Sequence, residues 1–524
     1  MMKNTILRSG LILTILLVLI SFCEPVLAEV VWSGDVDPAN PLSWTSTTDV
    51  YIGKASYGMM EVNDGSVVVD SRSYIGEDPC TMGEVTVDGV GSSWTNVSSV
   101  YVGNYGNGSL DITNGGTVNN ASTLVGYRVD SNSVVVVSGL NSLLNNTGGV
   151  SVGRYGKGRL DVNDGGEVKS SGESHIGSNT GGAGEVTING PNSIWVGTGT
   201  LYIGHSGDGT LNITNGGEVK SGLATIAYSA SSICEATVDG VDSMWTINGN
   251  LNLGLFGDGT LNVSGGGTVS NIYSFIGAYS GATGEAKIDG VGSVFTSSKY
   301  LRVGYSGDGT LNITGGAVVT NGWDGGVGYE LGSIGSVTVD GAGSVWTNNQ
   351  ALYVGRNGSG ELTITNGGLV SVDAILNIDT DGDGDGFIYI ASGGMLAIEG
   401  NAASSFTNFL TLVNGTGAIK YWNGTNWAGI EDATYGVDYT LEYLTTGDLA
   451  GYTMLTVYVP GPPDPDVNGD GDVDMQDFAG FAAHWLEVGC AGPDWCGSAD
   501  VDYSGDVSFS DLQIIAENWI GGSE

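Results

Sequence analysis

The stretch Asp466-Val-Asn-Gly-Asp-Gly-Asp-Val-Asp-Met-Gln-Asp477 sets side-chain oxygens at positions 1, 3, 5 and 12 of one loop, through Asp466, Asn468, Asp470 and Asp477. Gly471 at position 6 permits a sharp turn, and Asp472 is placed to offer its backbone carbonyl. Hard oxygens gathered around one point suit a hard cation, and a flexible shell of this size suits Ca²⁺ better than Mg²⁺. Thirty-four residues later Asp500, Asp502, Ser504, Asp506 and Asp511 repeat the arrangement, with Gly505 at the turn. One such loop could be chance; two in matched positions predict a pair of Ca²⁺ sites.

Each loop is the calcium loop of an EF-hand and runs into an amphipathic helix. The apolar positions are Phe478, Phe481, Ala482, Trp485 and Leu486 after the first loop, and Leu512, Ile515, Ala516, Trp519 and Ile520 after the second. Both sets follow the i, i+3, i+4, i+7, i+8 spacing of a one-faced helix, so the two faces are expected to pack together. Asp at position 12, one helix per loop and the duplicated unit resemble a type I dockerin over residues 466 to 520. That resemblance implies a cohesin-type partner in polysaccharide-degrading assemblies, contacted through loop positions 10 and 11, here Met475, Gln476, Phe509 and Ser510. The connection between the units is extended, and basic residues common in such helices are absent.

Other residues invite chemical readings. Asp379, Asp381, Asp383 and Asp385 alternate with Thr380 and glycines and suit either a weak Ca²⁺ site or a solvated turn, with no acid at position 12 in either register. Asp208, Asp258 and Asp308 recur at one position, which elsewhere holds Asn107, Lys157 and Ser359. That interchange fits turn chemistry and not catalysis. Trp94, Trp195, Trp245 and Trp346 share a position with Leu144 and Phe295, which calls for apolar volume in a core. Tyr51, Tyr101, Tyr202 and Tyr353 should face outward, as half-exposed strand tyrosines or as a surface on which a glycan stacks. His175, His205 and His484 are scattered, and no Ser-His-Asp order, metal-binding His pair or phosphate loop emerges.

What positions these residues is a repeat. Glycine closing an apolar-aromatic tripeptide recurs at Gly53, Gly103, Gly153, Gly204, Gly254, Gly304 and Gly355, in steps of 50 or 51 residues. A second marker falls about 23 residues after the first, as at Gly76 and Gly126, so each repeat has two similar halves. Within a half, Leu211 and Ile213 alternate with Asn212 and Thr214, the period of a strand with one buried face. Some 25 residues of short strands and glycine corners cannot bury that face alone, so the halves must stack. A mainly β protein follows, a β-solenoid of about fourteen coils and roughly 65 Å, with a small helical module at its C-terminus. No helical period precedes that module. Cys80 and Cys234 should lie about six coils apart, far beyond disulfide reach, as buried or idle thiols.

The blocks Leu201-Tyr-Ile-Gly204, Gly209-Thr-Leu-Asn-Ile-Thr-Asn-Gly-Gly217 and Gly284-Glu-Ala-Lys-Ile-Asp-Gly-Val-Gly-Ser293 resemble the autotransporter and PEP-CTERM-associated repeat of bacterial surface proteins, over roughly residues 50 to 400. The resemblance implies an exported β-helical stalk or passenger with no general enzymatic role. Residues 401–459 lose the repeat, keep strand alternation and several aromatics, and should cap the open solenoid edge. Residues 460–465, Pro-Gly-Pro-Pro-Asp-Pro, read as a stiff linker, and 466–524 as the calcium module.

Composition agrees. The 524 residues carry 57 Asp and Glu against 15 Lys and Arg, a net charge of -42, which repels phosphate backbones and anionic lipid and excludes nucleic acid as a partner. Lys3 and Arg8, the uncharged run from Leu11 to Phe22 and Val26-Leu27-Ala28 read as a signal peptide over 1–28, in preference to an uncleaved anchor or a lipoprotein signal at Cys23. The remainder would have 13 basic and 56 acidic residues, a net of -43, and no run long enough to span a membrane. Secreted or at the cell surface, it would meet an oxidising compartment, where Cys490 and Cys496 are placed for a local disulfide. The expected function is a secreted, non-catalytic structural, adhesive or glycan-contacting element docked to a cohesin-type partner. The alternative is a dockerin-borne polysaccharide lyase or hydrolase on a β-helix, for which the few scattered Lys and Arg offer no clustered proton acceptor.

Overall fold

The computed structural model describes residues 29–380, 382, 385–423, 426–458, 466–468, 473, 475–488, 496–501 and 507–517. Residues 58–390 form a β-solenoid in which each coil of 25 or 26 residues lays down three strands, one in each of three parallel sheets. A representative coil gives Asn107–Thr113 to sheet 1, Thr117–Asn120 to sheet 2 and Ser122–Val125 to sheet 3. One position, glycine at 58, 83, 108 and onward to 386 except for Ser133 and Cys234, marks fourteen successive rungs of sheet 1. Each half of the 50-residue repeat is thus one coil. At ~4.8 Å per rung the rod is roughly 65 Å long.

Local sequence explains the corners. Asn114 and Gly115 both adopt positive φ, 50° and 91°, which turns the chain from sheet 1 into sheet 2 within two residues. Between sheets 3 and 1 the marker Gly204 also has positive φ, and Gly209, facing inward at the head of the next strand, is pressed against it. A Cβ on Gly209 would lie 2.5 Å from the Gly204 nitrogen and from the Ile176 carbonyl oxygen, so a side chain at 209 would force this backbone contact apart. The same rung position holds Cys234 in one coil, buried and with its thiol pushed up to about 11 by burial. Cys80 is exposed, in a corner turn at φ 64°. Both thiols are free and six rungs apart.

Why the repeat is 50 residues when the coil is 25 follows from the core. In sheet 1 an inward column runs Leu110, Val135, Leu160, Val186, Leu211, Ala236, Leu261, Ala286, Leu311, Val337. In sheet 2 the inward column runs Val118, Leu144, Val168, Trp195, Val219, Trp245, Val269, Phe295, Val319, Trp346. Coils with Leu in sheet 1 carry Val in sheet 2, and coils with Val or Ala carry Trp, Phe or Leu. Each coil encloses a balanced volume, and each large side chain lies between two small ones along the axis, as close packing demands. All four tryptophans are fully buried, as the sequence predicts.

Where sheet 2 meets sheet 3, the interior holds a polar column that sequence alternation does not reveal. Asp70, Asn96, Asn120, Asn146, Ser170, Ser221, Asn271, Ser297 and Asn321 are all buried. The indole N–H of Trp94 donates to Asp70 (2.7 Å), that of Trp195 to Ser170 (3.0 Å) and that of Trp346 to Asn321 (2.9 Å). Ser73 donates to Asp70 Oδ2 at 2.8 Å, whereas Asp70 Oδ1 has no hydrogen-bond partner. Burial pushes the Asp70 carboxyl up to about 7, against the opposing effect of the Trp94 and Ser73 donors. An acid that titrates near 7 folded and near 3.8 unfolded destabilises nothing below about pH 4 and progressively more as pH rises to 7. The full difference corresponds to on the order of 4 kcal/mol. Asp70→Asn, isosteric and like its neighbours in the column, should therefore leave stability unchanged at pH 4 and raise it at pH 8. Urea midpoints across that range check this; parallel profiles for the two proteins would refute it.

Both ends of the rod are closed by antiparallel strands, which remove the free edges. Glu29–Gly34 pairs antiparallel with Gly58–Asn63. At the other end Val413–Gly415 and Ala418–Trp422 add one further parallel strand each to sheets 3 and 1, so the stacking runs past residue 400. Trp427–Gly429 then covers Ala418–Trp422, and Tyr452–Val457 covers Met395–Glu399, both antiparallel. A short helix, Phe406–Phe409, capped by the Ser405 hydroxyl accepting the Asn408 N–H at 3.1 Å, departs from the expectation of no helix before the C-terminus. One turn is too brief to leave a periodic signature.

Candidate functional site

Two regions hold the residues singled out for chemistry. In the C-terminal module the described helices are Met475–Ala483 and Phe509–Glu517. They share one apolar cluster of Val467, Val473, Phe481, Ala499, Val501, Val507 and Ile515, with Trp485 and Leu512 against it. The first predicted apolar face is only partly turned inward. Phe481 is buried, but the helix ends at Ala483, leaving Leu486 exposed beyond it, and Phe478 and Ala482 are exposed. In the second helix Ile515 is buried and Ala516 exposed, while Trp519 and Ile520 lie outside the described residues.

Asp477 and Asp511, at position 12 of the two loops, and Asp500, at position 1 of the second, are fully buried. Asp477 Oδ1 accepts the Asn468 N–H at 3.1 Å, and Asp511 Oδ2 accepts the Ser508 N–H at 2.7 Å. Position 12 is thus folded back onto its own loop in both units. Asp466 is half-buried and Asn468 exposed, while Asp470, Asp472, Asp502, Ser504 and Asp506 lie outside the described residues. Among the described residues no three His, Cys, Asp or Glu side chains are gathered as a metal-ligand group. Met475, Gln476, Phe509 and Ser510 are all exposed, and Met475 (66%) and Phe509 (74%) are apolar side chains left in solvent at equivalent positions of the two units. Cys496 is disulfide-bonded, and Cys490 is outside the described residues. His484 pairs with Glu487 at 3.1 Å.

On the rod, Asp379 is buried with φ 52° at the marker position that glycine holds in every other coil but that of Ala227. It takes hydrogen bonds from the Gly382 N–H (3.2 Å) and the Thr416 hydroxyl, an anchored turn; Asp381 and Asp383 lie outside the described residues, and Asp385 heads the next strand. Asp208, Asp258 and Asp308 are exposed at the first position of their strands, two rungs apart.

The outward face of sheet 3 is richer than the sequence suggests. Tyr51, Tyr101, Tyr202 and Tyr353 do face outward, half-buried, and the coil register inserts Tyr74 and His175 into the same column. Tyr51 and Tyr74 stack at 5.0 Å, Tyr74 and Tyr101 at 4.9 Å, and His175 and Tyr202 at 5.0 Å. Tracking the 50-residue repeat alone misses the members 25 residues out of phase. Beside this column the corner residues Tyr127, His205, Tyr228, Tyr305 and Tyr329 add further rings.

Cations gather here. Lys54, Arg128, Arg154, Lys299, Arg302 and Arg356 lie over ring faces of this side. Arg128 and Arg154 each sit 4.8 Å from the centroid of Tyr127. Of these cations, Lys54 also pairs with Asp37 and Arg302 with Asp324, whereas several basic residues on the other sheets are matched to acids two positions away, as Arg159 is to Asp161 and Lys220 to Glu218. Between the two stacked stretches the column passes through Leu124 and Ser151, and a cleft of about 320 Å³ opens, lined by these two with Arg154, Glu173, His175 and His205 among others. Burial, and next the neighbouring His205, hold the His175 imidazole below its usual range. A larger depression of about 630 Å³ on sheet 1 has as its arginine the already paired Arg159. No described helix is long and apolar enough to cross a membrane.

Compared with known proteins, the chain matches no protein-family model, no curated protein and no solved structure.

Proposed function

We propose that this chain is an exported, non-catalytic β-solenoid, held on a cohesin-type partner by a calcium-folded, dockerin-like module, and that the rod is a structural, adhesive or glycan-contacting element. The observation that carries the reading is the duplicated loop and helix in which Asp477 and Asp511 are buried at matched positions. Burying carboxylates is costly unless a positive charge meets them, and with few bases in the module a cation is the fitting partner. Asp466, Asn468, Asp470 and Asp477 would hold the first Ca²⁺ with the Asp472 carbonyl, and Asp500, Asp502, Ser504 and Asp511 the second with that of Asp506. The ion would supply folding energy, not chemistry.

Docking draws support from Met475 and Phe509. Two exposed apolar side chains at equivalent places in a duplicated module form the anchor type that protein interfaces bury. The long stacked face of sheet 3 supports the contacting role of the rod, since a repeated aromatic surface suits a repeated ligand.

Full-length protein should be retained by an immobilised panel of type I cohesins in Ca²⁺ and released by chelator. Met475→Ala with Phe509→Ala should weaken retention at least about 10-fold while leaving Ca²⁺-induced helix intact. Retention by no cohesin sinks the docking claim. Release of reducing or unsaturated sugars from a polysaccharide panel would replace the non-catalytic reading with the lyase or hydrolase.

A further inference from the structure

The aromatic column breaks at Leu124 and Ser151, and again at Thr225 and Asn252, and the first break is a built slot. Rings above and below it stack at about 5 Å per rung, so two absent rings leave about 14 Å between the Tyr101 and His175 rungs, three steps of ~4.8 Å. Two polar atoms in the slot have no hydrogen-bond partner, Ser151 Oγ and His175 Nδ1, although both are shielded from solvent. Groups of this kind are almost always satisfied in native proteins, and a ligand is one way to satisfy them. Arg154 lines the same slot, and neither it nor Arg128 next to it has an acidic partner. In a chain this acidic, two adjacent guanidinium groups held against Tyr127 and left unpaired form a local reversal of charge. Glu173 at the rim is exposed, so it can turn to solvent or accept a hydroxyl.

We propose that this slot binds an acidic residue of a polysaccharide. The sugar's C–H face packs against the His175 imidazole and Leu124, its carboxylate or sulfate pairs with Arg154, and its hydroxyls meet Ser151 and His175. The planar fork of arginine matches either anion in bidentate fashion, and aromatic walls suit a saccharide ring better than a small free anion. This rests on the reading of the rod as a glycan-contacting element and names the ligand class and place.

Full-length protein is titrated calorimetrically with oligogalacturonate, a sulfated carrageenan oligosaccharide and neutral cello-oligosaccharide. One of the two anionic probes should bind, which distinguishes carboxylate from sulfate, and the neutral one should not. Arg154→Gln should weaken that binding roughly 10-fold or more. Ser151→Tyr should abolish it, because a tyrosine there continues a column that already accepts tyrosine at 51, 74, 101 and 202, filling the slot without disturbing the fold. An unchanged melting temperature in that variant confirms folding. Anionic or neutral binding that survives Ser151→Tyr overturns the slot and leaves the glycan reading standing. No binding to any of the three probes overturns both.

Discussion

Adding Ca²⁺ to a fragment of residues 464–524 is expected to raise its helix content from little to most of what two nine-residue helices can give, and a chelator should reverse the change. Nine residues are too few for a helix to persist alone in water, so Met475–Ala483 and Phe509–Glu517 depend on the small shared cluster around Phe481 and Ile515. Without a cation that cluster must form while Asp477, Asp500 and Asp511 are buried beside further acids of the two loops. Like charges at this density oppose collapse. With free Ca²⁺ at about 100 times its Kd, each site contributes about 2.7 kcal/mol, and two sites supply roughly the whole stability of a module this small. Mg²⁺ should substitute poorly, since it demands octahedral geometry and dehydrates reluctantly. Asp466→Ala with Asp500→Ala should abolish the transition and leave the melting of the rod unchanged. Equal helicity by circular dichroism with and without chelator, in the unmutated fragment, would falsify the calcium assignment.

The second large effect is expected in the middle of the rod. Leu261 is fully buried between Ala236 and Ala286 of the adjoining rungs, the one large side chain among three. Leu261→Asp removes that volume and puts a carboxyl where no donor is available. Truncation alone costs about 2–5 kcal/mol, and burying an unpaired polar group adds about 1–3. Because each coil touches only its neighbours, the damage should stay local: cooperative unfolding splits into two transitions, and proteolysis cuts first near residue 261. A single urea transition at an unchanged midpoint would refute the stacked-ladder account of stability.

Much of this fold is legible in the sequence because a solenoid repeats its own evidence. Leu211 and Ile213 alternating with Asn212 and Thr214 give a strand, and the recurrence of that strand gives the stack. What escapes is what depends on coil-to-coil register. Tyr74 and His175 belong to the same outward column as Tyr101 and Tyr202, yet they stand half a repeat out of phase. The buried polar column from Asp70 to Asn321 reads in sequence as ordinary turn residues, since Asn and Ser suit corners and interiors alike once neighbours such as Ser73, Thr123 and the Trp indoles hydrogen-bond to them. The two helices Met475–Ala483 and Phe509–Glu517 are legible from their apolar spacing, whereas Leu486 is misplaced because the helix period continues in the sequence past the backbone's end at Ala483.

The pairing of large with small residues along the axis also governs how such a gene can grow or shrink. Loss of a single 25-residue segment, for example 233–257, would bring Leu211 of one rung directly onto Leu261 of the next in sheet 1 and Val219 onto Val269 in sheet 2. One sheet would be overfilled and the other left with a void, a mismatch repeated nowhere else in the rod. Loss or gain of a whole 50-residue segment restores Leu to Ala and Val to Trp at the junction. Unequal recombination should therefore be tolerated only in even numbers of coils, and related rods should differ in length by steps of about 9.6 Å.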